Sequence, residues 1–279
     1  MNYRHAFHAG NFADVFKHVI LTLLLKALRS KDKPFFHLDT HAGAGRYDLG
    51  SDAARKTGEF EQGVARLWSG GSSSDALHDY LTAVRALNGG DELRFYPGSP
   101  RIARHFLRPQ DRMVLCESNP QEYGRLKAEF AGDRQVAVHL QDGYLGLKAF
   151  LPPPENRGIV LIDPPYESAE EFERVAGALI TSCARWRGGI YALWYPIKLP
   201  AAAASLHEAL RRSGIRKILL AELAVYPEDN AFRLNGCGML VINPPWRIDE
   251  ELKTLLPQLA GVLRQETDSR IRLDWLVPE

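Results

Sequence analysis

The chain has 279 residues, 45% apolar and 25% charged, with 35 Lys and Arg against 34 Asp and Glu for a formal net charge of +1. That is the make-up of an ordinary globular protein with a sizeable core. Any nucleic-acid binding must come from a local basic face rather than the whole surface. Residues 1 to 46 are a candidate face, with Arg4, Lys17, Lys26, Arg29, Lys31, Lys33 and Arg46 against Asp14, Asp32 and Asp39. Cys116, Cys183 and Cys237 lie far apart with no CxxC pair, which argues against a disulfide framework or zinc knuckle and fits a reducing cytoplasm. The opening "MNYRHAFHAG" lacks a signal-peptide layout, and "VILTLLL" is far too short to span a bilayer. The expectation is a soluble cytoplasmic protein.

From Asn11 to about Arg29 apolar residues recur at helical spacing, with Asn11 as N-cap. "FFHLD" (35 to 39) reads as a short strand leading into the glycine-rich "THAGAG". Residues 50 to 92 read as a helical insertion of two or three short amphipathic helices, divided by the flexible tip "SGGSSS". "GSPRIARHFL" starts a helix, with Ser99 at the N-cap and Pro100 in the first turn. Strands "MVLCE", "QVAVHL", "IVLID", "GIYALWY", "KILLAELAV" and "GMLVIN" follow, the first five separated by helices near 120 to 130, 144 to 150, 169 to 186 and 200 to 213. This alternation predicts an α/β fold with a mostly parallel, doubly wound sheet, closed by an antiparallel pair. Its parts are an N-terminal motif, helix and first strand (1–49), the insertion (50–92) and the rest of the α/β domain (93–279).

In such a sheet the ligand lies beyond the carboxyl ends of the strands. Those ends carry Asp39 with the His41-Ala42-Gly43-Ala44-Gly45 loop, then Glu117, Asp142-Gly143 and Asp163-Pro164-Pro165-Tyr166. An acid after the second strand is placed to accept from a ribose diol, and one after the third from the exocyclic amine of adenine. Any one of these is as well explained by a tight turn or a helix cap; four in register describe an adenosine-containing ligand. The complete GxGxxG of a dinucleotide site and the GxxxxGK[ST] of a phosphate loop are both missing, which points to S-adenosylmethionine.

The tetrad supplies a reaction. Hydrogen bonds from an exocyclic amine to Asp163 and to the Pro164 carbonyl would hold its nitrogen near tetrahedral and aim its lone pair at a methyl sulfonium. Tyr166 offers a flat face for a base out of its stack. A second tetrad, Asn243-Pro244-Pro245-Trp246, follows what reads as the final strand, farther across the sheet from the cofactor. It is expected to be a strand exit, or at most a rim of an RNA surface.

"DPPY" after the fourth strand resembles the motif of class I amino-methyltransferases acting on adenine N6. With "YRHAFHAGNFADVFKHVIL", "LDTHAGAGRYDLG", "YPGSP", "YALWYP", "GIRKILLAEL" and "VINPPW", nearly the whole chain is similar to the bacterial 23S ribosomal RNA adenine-2030 N6-methyltransferase family. The resemblance implies a monomeric Rossmann-like enzyme with a mobile N-terminal motif. It implies cofactor contacts from Lys17, His18, His41, Ser99, Glu117, Asp142, Gly143 and Asp163, catalysis at Asp163, Pro164 and Tyr166, and Tyr3 on the target adenosine. His41 stands where the first glycine of the general motif would be, which favours a side-chain role for it. The spacing of His5, His8, His18 and His41 matches no zinc pattern, so no metal is expected. Arg55, Lys56 and Arg66 in the insertion either extend an RNA face or are solvated, and Trp194 and Tyr195 are core or line the adenine pocket. Two alternatives stay open: a DNA-adenine or protein-amide methyltransferase, and a non-catalytic RNA-binding protein.

Overall fold

The computed structural model describes residues 4–70, 74–198, 200–227, 233–266 and 269–279. Tyr3 and part of the Gly/Ser tip lie outside these residues. The chain opens with helix α1 (Phe12–Arg29), capped by the Asn11 side chain accepting from the Asp14 N–H. Strand β1 (Phe36–Asp39), strand β2 (Arg46–Asp48) and three helices, α2 (Asp52–Thr57), α3 (Val64–Gly70) and α4 (Asp75–Arg85), follow, and β3 (Phe95–Pro97) pairs back antiparallel to β2. The insertion helices thus leave and rejoin the fold through a two-stranded ribbon that the apolar pattern did not reveal.

Alternation then takes over with α5 (Ser99–Phe106), β4 (Arg112–Glu117), α6 (Pro120–Glu129), β5 (Val136–Leu140), α7 (Gly143–Phe150), β6 (Gly158–Ile162), α8 (Glu170–Arg185), β7 (Ile190–Ile197) and α9 (Pro200–Arg212). Strands β8 (Ile218–Ala224) and β9 (Gly236–Ile242), helix α10 (Ile248–Leu263) and strand β10 (Arg270–Val277) complete it. The last two elements went unread in the sequence. Pro257 interrupts the α10 pattern, and β10 carries mostly exposed side chains, so neither shows a clean periodicity.

The eight-stranded sheet runs β10-β8-β9-β7-β6-β1-β4-β5. Strands β5, β4, β1, β6 and β7 pair parallel, and β9 pairs antiparallel to both β7 and β8. The central parallel strands β1 and β6 are buried on both faces, which explains unbroken apolar runs such as Gly158–Ile162. One core layer holds α1, α4, α5 and α10 residues, and the other holds residues of α7, α8 and α9. Helix α1 is buried on nearly all sides, its polar residues Asp14, Lys17, His18 and Thr22 included. Its first two turns stand at the carboxyl end of the parallel strands.

Three expectations need correction. Gly98, not Ser99, is the N-cap of α5, because the Ser99 hydroxyl is spent on Asp39. The basic residues of the N-terminal stretch do not form one face. Lys17 is buried, Lys26 pairs with Asp79 and Arg46 with Glu129, while Lys31 and Lys33 precede β1 at the opposite end of the sheet from the loop after Asp39. The strand before Asn243 is neither final nor remote, since it lies against β7. Its direction separates the two tetrads: Ile242 pairs with Tyr191 at the start of β7, so Asn243 leaves the sheet at the end away from Asp163.

Candidate active site

A cavity of about 510 Å³ opens at the carboxyl end of β1, β4, β6 and β7. It brings together Lys17 and His18 from α1, His41 and Gly43 from the first loop, Ser99, Glu117, and Asp163 to Tyr166. Asp142 and Gly143 stand outside its lining. Asp142 Oδ1 caps α7 by accepting from the N–H groups of Tyr144 and Leu145, and Oδ2 accepts from Arg174. Gly143 serves close packing: a Cβ there would lie 2.2 Å from the Thr40 carbonyl oxygen and 2.9 Å from His41 Cε1.

Glu117 accepts from Asn119 N at 2.7 Å on one oxygen and from Gly43 N at 2.8 Å on the other. Its plane is therefore fixed, and each oxygen keeps a further lone pair. Gly43 has φ +60°, the left-handed region open to glycine, and a Cβ there would meet the Tyr47 hydroxyl at 2.2 Å. Asp39 lies fully buried beneath this loop. It accepts from Ser99 Oγ at 2.6 Å and from His41 N at 3.2 Å, and burial pushes its carboxyl up to about 7. His41 Nδ1 lies 2.8 Å from the Thr40 hydroxyl, and burial pushes its imidazole down to about 4.

On the other wall, Lys17 Nζ lies 2.5 Å from Asp163 Oδ2 and 2.9 Å from Asp14 Oδ1. Burial alone would lower the lysine, but the two carboxylates carry it well above its usual range. Asp14 Oδ2 accepts from Gly10 N and pairs with His5 at 2.9 Å. Asp14, Lys17 and His18 stand at i, i+3 and i+4 on one face of α1, a spacing visible in the sequence, and all three line the cavity. Tyr166 is held by its hydroxyl, which donates to the Trp194 carbonyl at 2.8 Å, and by the Phe172 ring at 4.6 Å. Trp194 lines the cavity while Tyr195 is buried against Glu222 and His207, which resolves that pair. Glu59 of the insertion also lines the cavity and pairs with His8 and Asn11. Arg66, by contrast, donates to the Val262 and Arg264 carbonyls, clasping the end of α10.

The donor set suits an adenosyl cofactor. A fixed carboxylate faces a glycine turn, and the buried His18 Nε2 has no protein partner among the described residues. Among those residues no cluster of His, Cys, Asp or Glu is arranged to hold a metal ion, and no helix is long and apolar enough to cross a membrane.

Five parallel strands continued by the reversed β9, then β8 and a reversed edge strand β10, with a cavity at the carboxyl end of the parallel part, define a class I methyltransferase fold. The sequence profile of the family described as Ribosomal RNA large subunit methyltransferase D, RlmJ, matches residues 32–277, and the chain belongs to that family. It is 44% identical over 279 residues to ribosomal RNA large subunit methyltransferase J of Escherichia coli (strain K12), covering 100% of both chains. It is also 44% identical over 280 residues to the protein of that name from Haemophilus influenzae, again covering 100% of both. The crystal structure of protein LPL1258 from Legionella pneumophila superposes with a TM-score of 0.89 at 36% identity, over 96% of this chain and 98% of that one.

Proposed function

We propose that this protein methylates N6 of one adenine, position 2030, in 23S ribosomal RNA, acting as a monomer in the cytoplasm with S-adenosylmethionine as donor. The observation that carries the reading is the Asp163-Pro164-Pro165-Tyr166 turn at the end of β6, in one cavity with Glu117, Gly43 and His18. When bound, the cofactor supplies an electrophilic methyl group. Glu117 would accept from its ribose, and Lys17, His18, His41 and Ser99 would line its remaining surface. Asp142 and Gly143 would act from behind the first loop, Asp142 through its cap of α7.

Asp163 Oδ2 is taken by Lys17, which leaves Oδ1 to accept one N–H of the target amine while the Pro164 carbonyl accepts the other. An amine held by two acceptors keeps its lone pair out of the ring, so the chain contributes positioning and electrostatics. Tyr166, fixed on Trp194, gives the base a stacking face, and Tyr3 would touch the target nucleoside. Residues 50–92 form the insertion beside this wall, with 1–49 and 93–279 making the catalytic fold.

The test is transfer of labelled methyl from S-adenosylmethionine to 23S rRNA lacking the modification, with the modified position mapped. A single labelled adenine is expected. Asp163→Ala should abolish transfer while cofactor binding stays measurable. Equal labelling of duplex DNA would favour a DNA enzyme, and RNA binding without cofactor binding would favour a non-catalytic role.

A further inference from the structure

A buried chain of three side chains runs from the insertion to the cavity. The Tyr80 hydroxyl of α4 lies 3.1 Å from the Tyr96 hydroxyl of β3, which lies 2.8 Å from His18 Nδ1. Tyr80 and Tyr96 are fully buried and His18 is 1% exposed. The His18 ring stacks on Tyr96, and its Nε2 has no partner among the described residues although the residue lines the cavity.

Proton counting gives this chain a direction. Each phenol has one proton to donate. The Tyr80 hydroxyl has a single partner among the described residues, the Tyr96 oxygen, so its proton goes there. The Tyr96 proton is then free to point only at His18 Nδ1. A neutral imidazole that accepts at Nδ1 carries its own proton on Nε2. Burial pushes His18 down to about 3, which keeps the ring neutral at physiological pH.

We infer that Tyr80 and Tyr96 are positioning residues that lock His18 into the Nε2–H tautomer, presenting a fixed donor to the carboxylate of the bound cofactor. The inference rests on the methyltransferase reading and adds to it the ligand group that His18 addresses and the residues that hold it ready. The carboxylate is favoured over other acceptors by the neighbours. Gly98 and Ser99, directly after β3, line the same cavity, and the Ser99 N–H stands at the start of α5, where no intrahelical acceptor exists and the helix dipole favours an anion. The insertion is then part of the cofactor site, because α4 supplies the proton donor that sets the chain.

Two measurements on the full chain test this. In protein labelled with 15N-histidine, the His18 ring should show a proton on Nε2 and a pyridine-type Nδ1 before any ligand is added. A proton on Nδ1 would overturn the inference. In Tyr96→Phe, Nδ1 loses its donor and the single tautomer should give way to a mixture.

The second measurement compares binding of S-adenosylhomocysteine with that of 5′-methylthioadenosine, which lacks the amino-acid end. Tyr96→Phe should weaken the first about twofold, the inverse of the Nε2–H fraction left in an even mixture, and leave the second unchanged. Tyr80→Phe should act in the same direction and more weakly. Equal losses for both ligands, or none for either, would refute the assignment. A wild-type protein that binds neither ligand would instead refute the methyltransferase reading beneath it.

Discussion

Lys17 Nζ and Asp163 Oδ2 stand 2.5 Å apart, joined across 146 residues of sequence. The ammonium also holds Asp14, so one buried cation neutralises two carboxylates at the mouth of the proposed amine site. Removing one partner of such a cluster leaves uncompensated charge in a poorly solvated place. Lys17→Met should therefore lower unfolding free energy by about 3 to 5 kcal/mol in denaturant titrations, and methyl transfer should fall with it. A midpoint equal to wild type would show that Lys17 neutralises neither acid.

Gly143 packs so closely that a Cβ there would meet Thr40 and His41. Any Cβ at this position must displace the Thr40 carbonyl, which is backbone and cannot swing aside. Gly143→Ala should cost about 1 to 3 kcal/mol by overpacking and weaken cofactor binding through the shifted 40–43 loop. Thermal unfolding and calorimetric titration of S-adenosylhomocysteine report the two effects separately. Wild-type affinity in a stably folded variant would show that the loop's position does not matter to the ligand.

Asp39 gives a pH signature. In the unfolded chain its carboxyl titrates near its usual 3.8, whereas burial holds it near 7 in the fold. The unfolded state thus loses this proton first as pH rises. The stability tied to the protonated form is full below about pH 4 and is lost progressively as pH climbs to about 7. Asn keeps an acceptor for His41 N and a polar partner for Ser99 without titrating. The stability difference between Asp39→Asn and wild type should grow in the variant's favour from pH 4 to 7 and be flat above. A constant difference across that range would mean that Asp39 is ionised throughout.

Much of this site was legible because each acid stands at the end of an apolar run, and a doubly wound sheet aligns those ends. Glu117 follows from that rule, and Asp163 from the rule together with the two prolines and the tyrosine behind it. Spacing did not show how the acids are engaged. Asp142 sits where an adenine acceptor was sought, and its oxygens also cap α7 and pair with Arg174. Asp14 and Tyr96 owe their roles to packing between distant segments, which no local pattern encodes. The same holds for β2 and β3, too short for an alternation to register, and for β10, which is exposed on its outer side.

The twin tetrads make the last prediction. Both follow buried strands, but β6 and β9 run in opposite directions, so one tetrad exits into the cavity and the other at the far end of the sheet. Asn243 is held there in the left-handed region at φ 52°, its amide donating to the Arg187 and Gly189 carbonyls at 2.7 and 2.8 Å. Trp246 is 90% exposed. Trp246→Ala should change unfolding free energy by no more than about 0.5 kcal/mol and leave transfer within about twofold of wild type, a margin under 0.5 kcal/mol. Asn243→Ala loses two hydrogen bonds and a tolerated backbone conformation, so it should cost about 1 to 3 kcal/mol in stability with turnover per folded molecule unchanged. Rapid-quench assays of single-turnover transfer, normalised to folded protein, separate stability from chemistry. A loss of transfer in Trp246→Ala comparable to that in Asp163→Ala would move the amine site to the wrong end of the sheet, and with it overturn the argument from strand direction.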